Sequence, residues 1–173
     1  MQKFKSKIVN QPKLKIELSK TDYIPEVLSV VCIISVILQL VLSWTELPEK
    51  IVTHFNLSGE PDSTGSKFTL LLLPSIIVMI YFLLTIINRY PHVFNYPVTI
   101  NPDNALFQYR NAAVTIRILK LIILSFFSYV FHCVVYTSLG IIRGLNIVIV
   151  VIFFVTIFYV LIWSISNSIK NKK

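Results

Sequence analysis

The side chains best suited to chemistry lie in one polar segment, residues 47–67, which separates two strongly apolar runs. A histidine beside carboxylates can bind a divalent metal, or act as a general base with an orienting acid. The same groups can instead hydrogen-bond the backbone of an ordered loop, or contact a ligand. The candidate ligand-binding residues of this segment are His54, Asn56, Asp62 and Lys67.

The rest of the segment gives little support to catalysis or metal binding. It has no second histidine, and the chain has neither an HExxH motif nor a GxSxG nucleophile elbow. The sequence therefore predicts a protein that is not an enzyme and that carries no cofactor. Asp62 and Lys67 are expected to form an ion pair, and turns are expected at residues 59–62 and 62–65 because these stretches contain Gly, Pro, Asp and Ser.

The elements that hold this segment are predicted to be membrane-spanning helices. The chain is 55% hydrophobic and only 14% charged, and its mean hydropathy is +0.74. A soluble domain of this length would not need so much apolar sequence. A helix of about 20 apolar residues crosses the hydrocarbon layer, and four such runs are predicted, at residues 24–43, 68–87, 118–139 and 145–165. The predicted fold class is an all-α integral membrane protein with four transmembrane helices and a short ordered extracytoplasmic loop at 44–67.

The third helix is predicted to begin well before its membrane span. Asn101 suits the N-cap and Pro102 the first helical position, and no helix breaker follows as far as residue 139. The first half of so long a helix must lie outside the hydrocarbon layer. Three basic residues along one side of this helix are expected to contact anionic lipid headgroups or solvent: Arg110, Arg117 and Lys120.

The distribution of lysine and arginine predicts an orientation in the cytoplasmic membrane. Six lie in the tail 1–20, four in residues 88–120 and three near the C-terminus, whereas only Lys50, Lys67 and Arg143 lie on the other side. The positive-inside rule therefore places both termini in the cytoplasm and the loop 44–67 outside. The formal charge of +8 is assigned to orientation and anionic lipid, not nucleic acid, because the basic residues flank apolar runs.

The two ends and the connection between the second and third spans are predicted to be cytoplasmic. Residues 1–23 are predicted to be a basic cytoplasmic tail, of which residues 1–20 are expected to be disordered, with an amphipathic segment on the membrane surface as the alternative. Residues 88–117 form the cytoplasmic connection, and residues 166–173 a second basic tail.

One histidine lies inside a predicted span. His132 is expected to make an interhelical hydrogen bond, for which Ser35, Gln39, Ser75 and Ser128 are available partners. Cys32 and Cys133 also fall inside spans, and they are expected to be packing residues with no disulfide between them.

The polar segment carries the pattern P-x-x-I-x-x-H-F-N-x-x-G-x-P-D-x-x-G-S-K, from Pro48 to Lys67. This pattern resembles the signature loop of a bacterial membrane family, the domain of unknown function 1648, which is shared with the SdpI-type immunity proteins. The stretch 104–120, with Gln108-Tyr109-Arg110, resembles the continuation of that family, so that the likeness covers about residues 27–139. The chain departs from the immunity type in two ways. Its four predicted spans are fewer than the immunity type has, and it carries a lysine-rich N-terminal extension.

The resemblance implies a polytopic protein that protects the producing cell from a secreted toxic peptide and can pass a signal to a cytoplasmic repressor. The predicted function is accordingly a non-enzymatic binding, immunity or signal-relay role against a peptide or envelope ligand. The expected partners are the lipid bilayer with its anionic lipids and a secreted peptide or cytoplasmic regulator. The alternatives are a metal-dependent membrane enzyme, or a small transporter that uses the His54/Asp62 loop. A transporter would need paired charges within its spans or helices broken at the midplane.

Overall fold

A computed structural model describes residues 11–173 and contains four long helices. These are α1 (Ile24–Ser43), α2 (Leu72–Ile87), α3 (Ala105–Ser138) and α4 (Ile147–Lys170). Short 3-10 helices lie at Lys20–Tyr23, Lys67–Leu71 and Pro91–Val93. The first two 3-10 helices directly precede α1 and α2 and extend them. With these extensions included, all four helices are long and apolar enough to cross a membrane. The predicted helical membrane fold is confirmed, with a small two-stranded sheet added to it.

Helix α3 is the central element, since it contacts α1, α2, α4 and the sheet. Its buried side chains Leu124, Phe131 and Val135 belong to one core cluster with Val36 of α1 and Ile77 of α2. The other three helices leave most of their apolar side chains exposed, as lipid-facing helices do. At 34 residues α3 is about 51 Å long, well beyond the roughly 30 Å of the hydrocarbon layer.

The start of α3 differs from the prediction. Asn101 Oδ1 accepts the backbone N–H groups of Asp103 and Asn104 at 3.0 and 2.9 Å, which closes a turn before the helix. The helix itself begins at Ala105, with Asn104 at the N-cap. The prediction of Asn101 as N-cap and Pro102 as first helical residue is therefore wrong by three residues, because Asn101 organises the preceding turn.

The segment between α1 and α2 is an antiparallel β-hairpin of β1 (Lys50–Phe55) and β2 (Pro61–Ser66). The chain reverses at residues 56–60, where Asn56 N–H donates to the Glu60 carbonyl at 2.8 Å. Gly59 takes a φ of +81° in this turn, a left-handed conformation that suits glycine. The turn predicted at 62–65 is wrong, because those residues pair with β1 in the sheet.

The hairpin docks on the end of α3 and on the loop that follows it. Val52 N–H donates to Ser138 Oγ at 3.0 Å, and Leu145 N–H donates to the Gly59 carbonyl at 2.7 Å. The backbones approach so closely here that a Cβ atom on Gly144 would collide with the Gly59 carbonyl oxygen. The end of the bundle that carries the hairpin is called the hairpin end, and the opposite end, where α1 begins and α4 ends, the tail end.

The described part of the N-terminal tail lies against the tail end. Residues 11–19 form no helix, and Tyr109 Oη donates to the Pro12 carbonyl at 2.9 Å. Ile16 packs on the cluster of Tyr96 and Tyr109. Burial, with a smaller effect of Tyr109, raises the pKa of Tyr96 well above its ordinary value. The expectations of a disordered tail and of an amphipathic segment on the membrane surface stay predictions, and residues 1–10 lie outside the described part.

Replacing Gly144 tests how firmly the hairpin is held. Gly144→Ala is expected to destabilise the protein by about 1–3 kcal/mol, because the new methyl group separates the loop from Gly59. Hydrogen–deuterium exchange in detergent micelles should show faster exchange across residues 50–66. Gly140→Ala is the matched control. It strains the backbone, because φ at Gly140 is +72°, but its new Cβ atom meets nothing within 4 Å and so does not push the loop away from the hairpin. Equal exchange of the hairpin in both variants would contradict this assignment.

Candidate functional site

His54 and Asp62 form a pair on the exposed face of the hairpin. His54 Nδ1 lies 2.6 Å from Asp62 Oδ1, and the side chains are 67% and 41% exposed. The register of the two strands is irregular on both sides of His54, which brings residue 54 opposite Ser63, next to Asp62. An exposed pair of this kind stabilises a fold by only about 0–1 kcal/mol. These two side chains are therefore free to serve a ligand without being needed for folding.

Asn56 and Lys67 are placed elsewhere in the hairpin. Asn56 Oδ1 accepts the N–H groups of Ser58 and Glu60 at 2.9 and 3.0 Å, so its side chain holds the turn together. Lys67 Nζ lies 3.4 Å from a carboxylate oxygen of Glu49 and 5.1 Å from the centre of the Trp44 ring. Of the four predicted residues, the structure thus brings together His54 and Asp62 only.

The ion pair predicted between Asp62 and Lys67 is wrong. Asp62 lies near the start of β2 and Lys67 directly after its end, a separation of about 17 Å along an extended strand. The partners come instead from the other side of the hairpin, where His54 of β1 meets Asp62 and Glu49, directly before β1, meets Lys67. The Asp62–Lys67 pair was expected because the two residues are close in sequence. In an antiparallel hairpin, however, a residue lies nearer to the opposite strand than to a residue five positions along its own strand.

An apolar groove of about 540 Å³ opens beside this pair, between β1, the start of α2 and the C-terminal third of α3. Six of its lining residues are Val52, His54, Phe55, Leu72, Ile76 and Val130. Binding sites for small molecules and apolar segments have this character, with few polar groups at the edge of a hydrophobic cleft. His54 lines the groove and also belongs to the exposed His54–Asp62 pair.

The geometry offers no support for the metal alternative. Among residues 11–173, no three side chains of histidine, cysteine, aspartate or glutamate come together as a metal-binding group. His54 has the single carboxylate of Asp62 beside it. His54 and Asp62 together supply two ligands, whereas a catalytic zinc site uses three protein ligands and a structural site four.

A second polar site, at the tail end, joins three helices. Lys120 Nζ of α3 lies 2.7 Å from both carboxylate oxygens of Glu26 of α1, and it donates to Thr85 Oγ1 of α2 at 2.7 Å. The lysine side chain is 1% exposed, and its ammonium group lies 4.4 Å from the centre of the Tyr81 ring. Arg117 Nε lies 3.8 Å from the same glutamate. A buried charge needs such a complete set of partners.

This site corrects the headgroup prediction for Lys120. Lys120 was expected to face anionic headgroups or solvent, but Glu26 supplies its countercharge inside the bundle. Arg117 is also mostly buried, and Arg110, half-exposed, pairs with Asp22 at 3.1 Å. The signal available in the sequence was one acid and one base inside two apolar runs. A glutamate in the first turn also suits the helix dipole, so its position alone gives no sign of a partner on another helix.

Sequence reasoning also missed a series of polar contacts between the protruding part of α3 and the end of α4. Gln108 is fully buried and its amide nitrogen donates to the carbonyls of Ser168 and Asn171 at 3.0 and 2.9 Å. One turn further along α3, Asn111 Nδ2 donates to the Ser164 carbonyl at 3.0 Å. These contacts hold α4 in helical form to Lys170, five residues beyond the predicted span. The spacing of Gln108, Asn111 and Thr115 is the helical signal for this face.

Removing Lys120 tests the role of the buried ion pair. Lys120→Met is expected to lower the free energy of unfolding by about 2–4 kcal/mol, because Glu26 loses its nearest countercharge and Arg117 is more distant. Arg110→Met, which breaks a half-exposed pair, should cost about 0–1 kcal/mol. Unfolding in mixed detergent micelles, followed by tryptophan fluorescence, measures both.

The double variant Glu26→Leu/Lys120→Met separates the ion pair from simple packing. It removes both charges of the pair, so part of the lost stability should return, less the cost of leaving the mostly buried Arg117 without its carboxylate. If Lys120→Met were no more damaging than Arg110→Met, the ion pair would not be a principal contact of the bundle.

Residues 30–78 match the family model described as "Domain of unknown function (DUF1648)". The match runs from α1 through the hairpin into α2, and it confirms the predicted resemblance to that family over this segment. An uncharacterized protein of Archaeoglobus fulgidus is 41% identical over 64 residues, which cover 32% of this chain and 35% of that protein. The chain thus matches about a third of the length of this relative. No solved structure matches the chain. The SdpI-type likeness and the bacterial origin stay predictions.

Proposed function

We propose that this multi-pass membrane protein is a non-enzymatic binding protein that takes up an amphipathic ligand at its hairpin end. The observation that carries the proposal is the apolar groove of about 540 Å³ whose edge bears the exposed His54–Asp62 pair. An apolar part of the ligand would enter the groove, where each Å² removed from water is worth about 25 cal/mol. Its polar part would meet the imidazole and carboxylate at the edge.

The charge of the hairpin segment favours a cationic ligand. Residues 44–67 contain four acids, Glu46, Glu49, Glu60 and Asp62, against two lysines. This acidic surface belongs to a protein with a formal charge of +8, so the sign is reversed locally. Complementary potentials raise the encounter rate and select among partners. A secreted cationic peptide with apolar side chains combines both required properties.

We place the hairpin outside the cytoplasmic membrane and both termini in the cytoplasm, on the basis of the lysine and arginine distribution. In this orientation the groove faces secreted peptides, and the basic tail end faces anionic lipid or a cytoplasmic regulator. The protein would act in immunity or signal relay, with the peptide bound at one end and the response given at the other.

A small transporter is the second candidate function. The observation that favours it is the Glu26–Lys120 pair, because opposite charges inside apolar helices commonly mark transport pathways. The pair lies at the tail end, however, whereas the groove lies at the hairpin end. Flux of a counterion in liposomes that disappears in Glu26→Gln would favour transport over binding.

Cysteine labelling tests the orientation. Leu57 is 95% exposed at the tip of the hairpin, so Leu57→Cys in a variant without Cys32 and Cys133 presents a single accessible thiol. A membrane-impermeant maleimide is expected to label this thiol in intact cells. Lys173→Cys in the same background should be labelled only after permeabilisation. The reverse pattern would place the hairpin in the cytoplasm.

Cell survival tests the binding function. Cells that express the wild-type protein are expected to survive secreted cationic peptides better than cells without it. In His54→Ala/Asp62→Ala, protection should fall about tenfold, which corresponds to about 1.4 kcal/mol of binding. His92→Ala, a histidine outside the hairpin, is the control, and membrane levels of all variants are matched by immunoblot. Equal protection by the double variant and the wild type would contradict the role of this pair.

A second pair of variants tests the groove separately. Leu72 lines the groove and Leu71 does not, although both are exposed side chains at the start of α2. Leu72→Trp is expected to fill the groove and reduce protection, whereas Leu71→Trp should leave it unchanged. Absence of any protection by the wild-type protein would overturn the immunity proposal itself.

A further inference from the structure

Three polar side chains at the interface of α1 and α3 have buried atoms with no hydrogen-bond partner among residues 11–173. These are both amide atoms of Gln39, Oγ of Ser128 and Nδ1 of His132. Ser128 is only 5% exposed. The interhelical hydrogen bond predicted for His132 is therefore not formed at Nδ1, although Gln39 and Ser128 were among its expected partners.

The packing of the two helices places these groups together. Helices α1 and α3 run parallel, since Glu26 meets Lys120 and, further along both, Cys32 Sγ lies 3.5 Å from Ser125 Oγ. Gln39 follows Cys32 by seven residues, and His132 follows Ser125 by seven, so each returns to the same helix face. The heptad spacing therefore places Gln39 and His132 on the same helix faces as Cys32 and Ser125, one heptad further along. Ser128 lies one turn before His132 on the same face.

Leaving these groups without partners would cost the folded protein several kcal/mol, because lipid offers no hydrogen bonds. The missing partner must both donate and accept, since an amide presents N–H groups and a carbonyl oxygen. A cation would leave the Gln39 amide nitrogen unpaired, and an anion would leave its oxygen unpaired. Water meets both needs, and buried waters typically make about three hydrogen bonds to such groups.

We propose that water binds between α1 and α3, held by Gln39, Ser128 and His132. This site is separate from the proposed ligand groove, because none of the three residues lines that groove. It also lies close to the hairpin end. Gln39 precedes the end of α1 by four residues and His132 precedes the end of α3 by six, or about 6 and 9 Å along the helices.

A route toward the surface is visible on α3. The ring of Tyr136, one turn beyond His132, stacks on the imidazole with centroids 6.4 Å apart. Tyr136 is itself exposed, so the polar face reaches the outside of the bundle at this level. Water can therefore enter from the interfacial layer without crossing the apolar centre.

Water-edited solid-state NMR of histidine-labelled protein in lipid bilayers tests the site. The chain has three histidines, and the His132 signals are assigned as those that disappear in His132→Phe. Water magnetisation is expected to reach His132 as well as the exposed His54, which serves as the internal reference. In Gln39→Leu/Ser128→Ala, transfer to His132 should fall about threefold, because two of the three water-binding groups are gone.

Ser35→Ala is the matched control, since that hydroxyl donates to the Cys32 carbonyl of its own helix and should not affect the transfer. A wild-type spectrum in which His54 receives water magnetisation and His132 does not would overturn the proposal, whether His132 is dry or bonded directly to Gln39. Unchanged transfer in the double variant would overturn the assignment of its ligands. Should that variant not accumulate, the wild-type spectrum alone decides.

Discussion

The buried contact of Lys120 with Glu26 and Thr85 is the interaction on which the helix arrangement depends. Apolar side chains give little driving force for association in lipid, where every neighbour is equally apolar. A hydrogen-bonded ion pair is different, because separating its partners would leave charges in hydrocarbon. One ammonium group therefore fixes the relative heights of α1, α2 and α3. Packing of the core cluster then proceeds from that register.

The position of α3 affects the contacts at both ends of the molecule. At the hairpin end, Ser138 of α3 accepts a hydrogen bond from the backbone of β1, and both α3 and β1 line the groove. At the tail end this position leaves the first three turns of α3 outside the lipid, where amide side chains such as Gln108 can bind α4. The proposed binding groove and the contacts at the tail end thus both involve helix α3.

Much of the fold could be predicted from the sequence, and the exceptions share a physical cause. Apolar runs predict lipid-crossing helices because hydrophobicity is a local property. The hairpin, the His54–Asp62 pair and the burial of Lys120 depend on which residues face each other in three dimensions. The choice of Lys67 as a partner for Asp62 failed for that reason, as did the turn at 62–65. His54 was predicted as a candidate ligand-binding residue of the loop, but the groove beside it depends on the positions of α2 and α3.

Helix α3 contains neither proline nor glycine between Ala105 and Ser138, so it has none of the usual causes of a kink. Lys120 lies 15 residues from one end and 18 from the other. With Lys120 as a pivot, the helix is a nearly balanced lever. A displacement of about 1 Å at the hairpin end becomes one of about 0.8 Å, in the opposite direction, at the tail end. Binding of a ligand in the groove would therefore move the opposite end of α3, on the far side of the membrane.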